Sequence, residues 1–103
     1  MPASVHRIYL GARNTPNHTF LPKDDALLQK TLSRYFRGWT IQNAQGFWEG
    51  TAEETRVVTV VDGPENHASG AGQTPFESCG NQLKNDFRQA AVMIERGGTA
   101  SFF

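Results

Sequence analysis

The sequence predicts an α+β fold: a ferredoxin-like β-α-β-β-α-β antiparallel sheet with helices on one face and a short C-terminal hairpin. Three observations carry that prediction. Strand-type alternation runs over Val5–Leu10, Trp39–Ala44 and Thr55–Val61. Between and after these, Pro22–Phe36 and Thr74–Arg88 repeat their apolar residues at helical spacing. Two short apolar runs, Ala91–Glu95 and Thr99–Phe103, flank Gly97-Gly98. A length of 103 residues suits a single domain over 1–103.

The first strand is strongest at Ile8-Tyr9-Leu10 and stops at Gly11, after which Arg13–Thr19 is a polar loop. The first helix has Pro22 in its first turn, where the missing N–H costs nothing, and Asp24 and Asp25 against the positive end of the dipole. Leu28, Leu32, Tyr35 and Phe36 form its apolar stripe, and Gly38 is a natural stop. Trp39–Ala44 is the second strand, with Gly46 read as a bulge or tight bend. The short link Gly50–Glu54 leads back antiparallel into Thr55–Val61, whose two largely apolar faces predict a central strand. Residues 62–73 have no periodicity. Thr74-Pro75-Phe76-Glu77 has the capping-box pattern, and Phe76, Cys79, Leu83 and Phe87 stripe the helix behind it. Ala91–Glu95 is expected as a strand, with a helix tail as the alternative.

Composition bounds the function. Lys plus Arg number 10 and Asp plus Glu number 10, which gives no strong sign of a nucleic-acid binder working through bulk charge. One cysteine, Cys79, excludes an internal disulfide and a cysteine-based zinc cluster. The N-terminus has no long apolar run, so neither a leader nor a membrane span is expected, and the expected location is cytoplasmic. Aromatic residues make up 11% of the chain, which favours a homo-oligomer or a ligand to cover those the core cannot take.

Several constellations are candidates for chemistry. Arg13, Asn14 and His18 give the first loop the donors of a ligand contact. Phe47 and Trp48 are adjacent on a strand and must point to opposite faces, so one of them leaves the helix-covered side. Glu49, set among aromatics and glycines, suits a polar contact to a ligand or subunit. Glu53 and Glu54 fall near the hairpin turn, where solvation is expected. Gly70, Gly72 and Thr74 enter a helix N-terminus, where backbone N–H groups can hold an anion. His6, His18 and His67 lack metal-ligand spacing, and Cys79 lies on an apolar stripe, as core cysteines do. No catalytic set, metal or cofactor is predicted.

Ile8-Tyr9-Leu10-Gly11, Gly38-Trp39-Thr40-Ile41, Gly46-Phe47-Trp48-Glu49-Gly50 and Ala91–Glu95 together resemble an uncharacterised family of small phage, prophage and bacterial proteins. These share a Gly-aromatic-Trp-x-Gly hairpin. The resemblance implies the fold and a mobile-element origin, and carries over no catalytic residue. Oligomer-prone aromatics, a glycine-rich helix entry and no catalytic constellation make the expected function that of a non-enzymatic, oligomeric protein that sequesters a small anionic ligand, such as a nucleotide signal, against host defence. The alternatives are a module that inhibits a host protein by contact, and a small enzyme using Glu49 or His67.

Overall fold

Alternation and helical spacing become an antiparallel sheet with two helices. The computed structural model describes residues 4–97 and 99–102. Its elements are β1 (Ser4–Gly11), α1 (Pro22–Ser33), β2 (Thr40–Trp48), β3 (Thr51–Asp62), α2 (Pro75–Asp86), β4 (Met93–Arg96) and β5 (Thr99–Phe102). Among the described residues the sheet order is β2-β3-β1-β4-β5, and every neighbouring pair is antiparallel. This is consistent with a ferredoxin-like type of α+β fold.

Strand alternation sorts the sheet into two faces. Ile8 and Leu10 of β1, Val58 and Val60 of β3 and Ile94 of β4 point to one side and are buried against Leu28, Leu32, Phe36, Phe76 and Leu83. Each such side chain contributes about 1.5–3 kcal/mol relative to an exposed one. The register puts Gln42, Val57, Tyr9, Met93 and Phe102 in one row across the other face. Among the described residues no helix lies on that row, and Phe102 is 66% exposed.

The interior strand expected at Val57–Val61 lies between β2 and β1, while β1 itself is the middle strand of the five. The hairpin differs from expectation in an instructive way. β2 runs straight through Gly46, which pairs with Glu53, and the turn is Glu49-Gly50, with φ of 49° and 78°. Two successive positive φ values fit the two-residue turn that matches strand twist. Gly46 is therefore no bulge. A Cβ there would stand 2.8 Å from Thr55 Oγ1, so the glycine serves a close approach. Glu53 and Glu54 consequently lie within β3 rather than in a turn.

Both helices are shorter than expected. α1 ends at Ser33, because the backbone of residues 35–37 turns to bond the long loop: Ala68 N–H donates to Tyr35 O at 3.0 Å and Arg37 N–H to Asn66 O at 2.8 Å. Asn66 also brackets Gly38, accepting from its N–H at 2.7 Å and donating to its carbonyl at 2.9 Å. At α2 the capping box does not form. Thr74 makes no side-chain cap bond, and Glu77 pairs instead with Arg96 at 3.3 Å. The C-terminal hairpin is present, with Met93–Arg96 paired to Thr99–Phe102. Gly98 of its expected Gly97-Gly98 turn, and Phe103, lie outside the described residues.

Candidate functional site

The open sheet face carries a cavity of about 650 Å³ where β1, the β2–β3 hairpin and the chain leading into β4 converge. Its size lies in the range of roughly 300–1,000 Å³ typical of small-molecule sites. Gly11, Gly46, Thr55 and Val57 border it on the sheet, Phe47 and Trp48 on the hairpin, and Gln89, Ala91 and Met93 on the far side. The lining is mostly apolar, with few polar groups.

Glu53 is the carboxylate at this cavity among the described residues, and it is only 7% exposed. Its place follows from backbone geometry. A Cβ on Gly11 would stand 2.5 Å from Glu53 Oε1, so only glycine at 11 leaves room for the carboxylate in this position. Arg13, just beyond β1, stands 3.4 Å from the same Oε1 and 4.8 Å over the Trp48 ring. That contact links the loop after β1 to the hairpin tip. Gln89 follows the left-handed Arg88 (φ 54°) and donates to the Gly11 carbonyl at 2.9 Å, which ties the far wall to the floor. Tyr9 borders the cavity too. Burial, followed by a 3.0 Å hydrogen bond to Glu95, pushes its hydroxyl pKa up, so it stays a protonated donor.

A smaller cavity of about 230 Å³ adjoins the first, bordered by Arg13, His18, Trp48, Glu49, Thr51 and Glu53. The sequence candidates therefore divide. Arg13, Phe47 and Trp48 border the large cavity, and Arg13, His18, Trp48 and Glu49 the small one. Phe47 and Trp48 are 70% and 53% exposed, so neither is core. Asn14 borders neither cavity; its amide donates to the Arg88 carbonyl. Gly70, Gly72 and Thr74 border neither cavity; they precede α2, which packs on the other face.

Glu53, Tyr9 and Gln89 were not singled out as site residues from sequence. The signal for Glu53 was present, since it shares strand parity with Thr55 and Val57 once the turn is shifted to Glu49-Gly50. Its neighbour Glu54 belongs to the covered side, accepting from Phe20 N–H at 2.7 Å and lying 3.8 Å from Arg56. Arg56 forks onto Asp25 at 2.9 and 3.2 Å; this hydrogen bonding raises its pKa and ties β3 to the start of α1.

The remaining titratable groups lie elsewhere. His6 and His67 share Asp62, at 3.4 and 2.6 Å, away from both cavities. Among the described residues no three His, Cys, Asp or Glu side chains are grouped to hold a metal. Cys79 is buried, and desolvation followed by Asp86 pushes its thiol up to about 12, which keeps it from acting as a nucleophile. No described helix is long and apolar enough to cross a membrane.

No family model and no curated protein matches the chain. Among solved structures it is similar to a phage SAM lyase in complex with S-methyl-5'-thioadenosine, at 17% identity and a TM-score of 0.64, over 99% of this chain and 88% of that one. It is also similar to a phage SAM lyase in the apo state, at 18% identity and a TM-score of 0.59, over 99% and 87% of the two chains. At these identities the likeness is one of fold.

Proposed function

We propose that the chain is a phage-encoded SAM lyase, which binds S-adenosylmethionine in the large cavity and releases S-methyl-5'-thioadenosine. The observation that carries the reading is Glu53, a buried carboxylate at the edge of an apolar, aromatic-lined cavity. S-adenosylmethionine combines an adenine suited to stacking with a sulfonium cation. Trp48, Phe47 and Tyr9 offer ring faces for the first, and Glu53 offers negative charge to the second. The solved phage lyases of similar fold support the choice of substrate.

In the reaction the bond between sulfur and the aminobutyrate carbon breaks, and its electron pair stays on sulfur as the neutral thioether. As it breaks, the sulfonium charge spreads onto the departing carbon, and the fragment's own carboxylate oxygen bonds that carbon and closes a lactone, so that no proton has to leave. Glu53 sits where it can hold that positive charge as it moves. Gly11 keeps the carboxylate in position, and Arg13 stands 3.4 Å from its Oε1.

The fold is ferredoxin-like in full, and the protein is a homo-oligomer that uses its open face for assembly. Exposed Val5, Val61, Trp48 and Phe102 support this second point. Sequestration of a nucleotide without turnover is the competing reading; it is weakened because the buried charge facing the cavity is negative.

Incubating the purified protein with S-adenosylmethionine, followed by liquid chromatography and mass spectrometry, tests the proposal. S-methyl-5'-thioadenosine should accumulate in proportion to protein and time. Intact substrate co-purifying at one equivalent would mean sequestration instead, and neither product nor bound ligand would end the proposal.

A further inference from the structure

The small cavity is built of charge where the large one is apolar. Arg13, Glu49 and Glu53 border it, with Arg13 3.4 Å from Glu53, and His18 and Thr51 complete the wall. The side chains of His18 and Glu49 make no hydrogen bond or ion pair among the described residues, and Arg13 Nε is buried without an acceptor. His18 and Glu49 both have left-handed backbone, with φ of 56° and 49°. Glycine or asparagine is the ordinary choice in such positions. A glutamate stands at residue 49 against that preference, and both residues border the cavity.

We infer that this smaller cavity takes the zwitterionic amino-acid end of the ligand, with Arg13 on the carboxylate and Glu49 on the ammonium. The inference rests on the reading of the large cavity as the nucleoside site. Arg13, Trp48 and Glu53 border both cavities, so one molecule can span them. The Arg13 guanidinium lies over Trp48 and uses one nitrogen on Glu53, which leaves further N–H groups in a planar fork for a carboxylate. Glu49 is acceptor-only when ionised, which suits an ammonium. The two carboxylates would also repel a phosphate chain, so the site selects an α-amino acid borne on a nucleoside thioether or sulfonium and rejects nucleotides.

Calorimetric titration with S-adenosylhomocysteine and with S-methyl-5'-thioadenosine tests this, because only the first carries the amino-acid end. The wild-type protein should bind S-adenosylhomocysteine roughly tenfold or more tightly than S-methyl-5'-thioadenosine. Glu49→Gln, at an exposed turn position with no protein partner to lose, should remove most of that gap and leave S-methyl-5'-thioadenosine binding unchanged. Arg13→Gln should narrow the gap as well, read as the ratio of the two affinities, because Arg13 also stands over Trp48. Equal wild-type affinity for the two ligands would overturn the inference, as would variants that weaken both alike. S-methyl-5'-thioadenosine binding that persists while the gap fails to depend on Arg13 or Glu49 would leave the lyase reading standing and this one refuted. Binding of neither ligand would refute both.

Discussion

Glu53 and Glu54 are neighbours in the chain and serve opposite faces of one sheet. Glu54 bonds the Phe20 N–H and stands near Arg56, which in turn forks onto Asp25. All of these groups lie on the helix-covered side and join β3 to the entry of α1. Glu53 points the other way, into a cavity, with Arg13 as its charged neighbour at 3.4 Å. Alternation alone separates the two roles. On the covered face a charge is used up by partners in the fold; on the open face it is left beside space that a ligand can fill.

Substitutions on each face should break this contrast in different ways. The largest effect is expected in the core: Leu83→Ala removes a fully buried side chain and should cost about 2–5 kcal/mol by denaturant unfolding, while the folded fraction binds S-methyl-5'-thioadenosine as before. Arg56→Met should cost less, about 1–3 kcal/mol, because its partner Asp25 is part-exposed and water screens the pair. It too should leave ligand binding intact. Gly11→Ala reverses the pattern. The added methyl would displace the Glu53 carboxylate, whose flexible end can move, so stability should change by less than about 1 kcal/mol while turnover falls roughly tenfold or more. The last effect is confined to high pH and concerns Cys79. Its thiol is pushed from 9.0 to about 12 in the folded protein, so the associated stability is complete below pH 9 and is lost as the pH rises towards 12. A thiol reagent at pH 8 should label Cys79 only as fast as the protein unfolds.

The covered face was legible in the sequence because it is written in periodicity. Leu28, Leu32 and Phe36, and Phe76, Cys79 and Leu83, read as core from spacing and are buried. The order of strands and helices followed from the same pattern. The open face was less legible, since its message lies in register. Gly46 looks like a break and Gly50–Glu54 like a link, and that reading put Glu53 in solvent. Moving the turn to Glu49-Gly50 lengthens both strands and carries Glu53 opposite Gly46. Tyr9 and Gln89 are distant in sequence and meet at the cavity only through the pairing of β1 with its neighbours. The capping box at Thr74 shows the limit of local pattern: Glu77 was taken by Arg96, a partner that no window around α2 contains. In contrast, Arg13, His18, Trp48 and Glu49 were candidates from loop donors and strand alternation, and they border one or both cavities.

The most direct test compares Glu53→Gln with Glu54→Gln in the conversion of S-adenosylmethionine to S-methyl-5'-thioadenosine, with circular dichroism as the check on folding. Glu53→Gln should stay folded and lose roughly a hundredfold or more in rate, whereas Glu54→Gln should be less stable and cleave at close to the wild-type rate. Equal rates from the two variants, or a greater loss in folded Glu54→Gln, would contradict the assignment of the open face and its buried carboxylate as the seat of the chemistry.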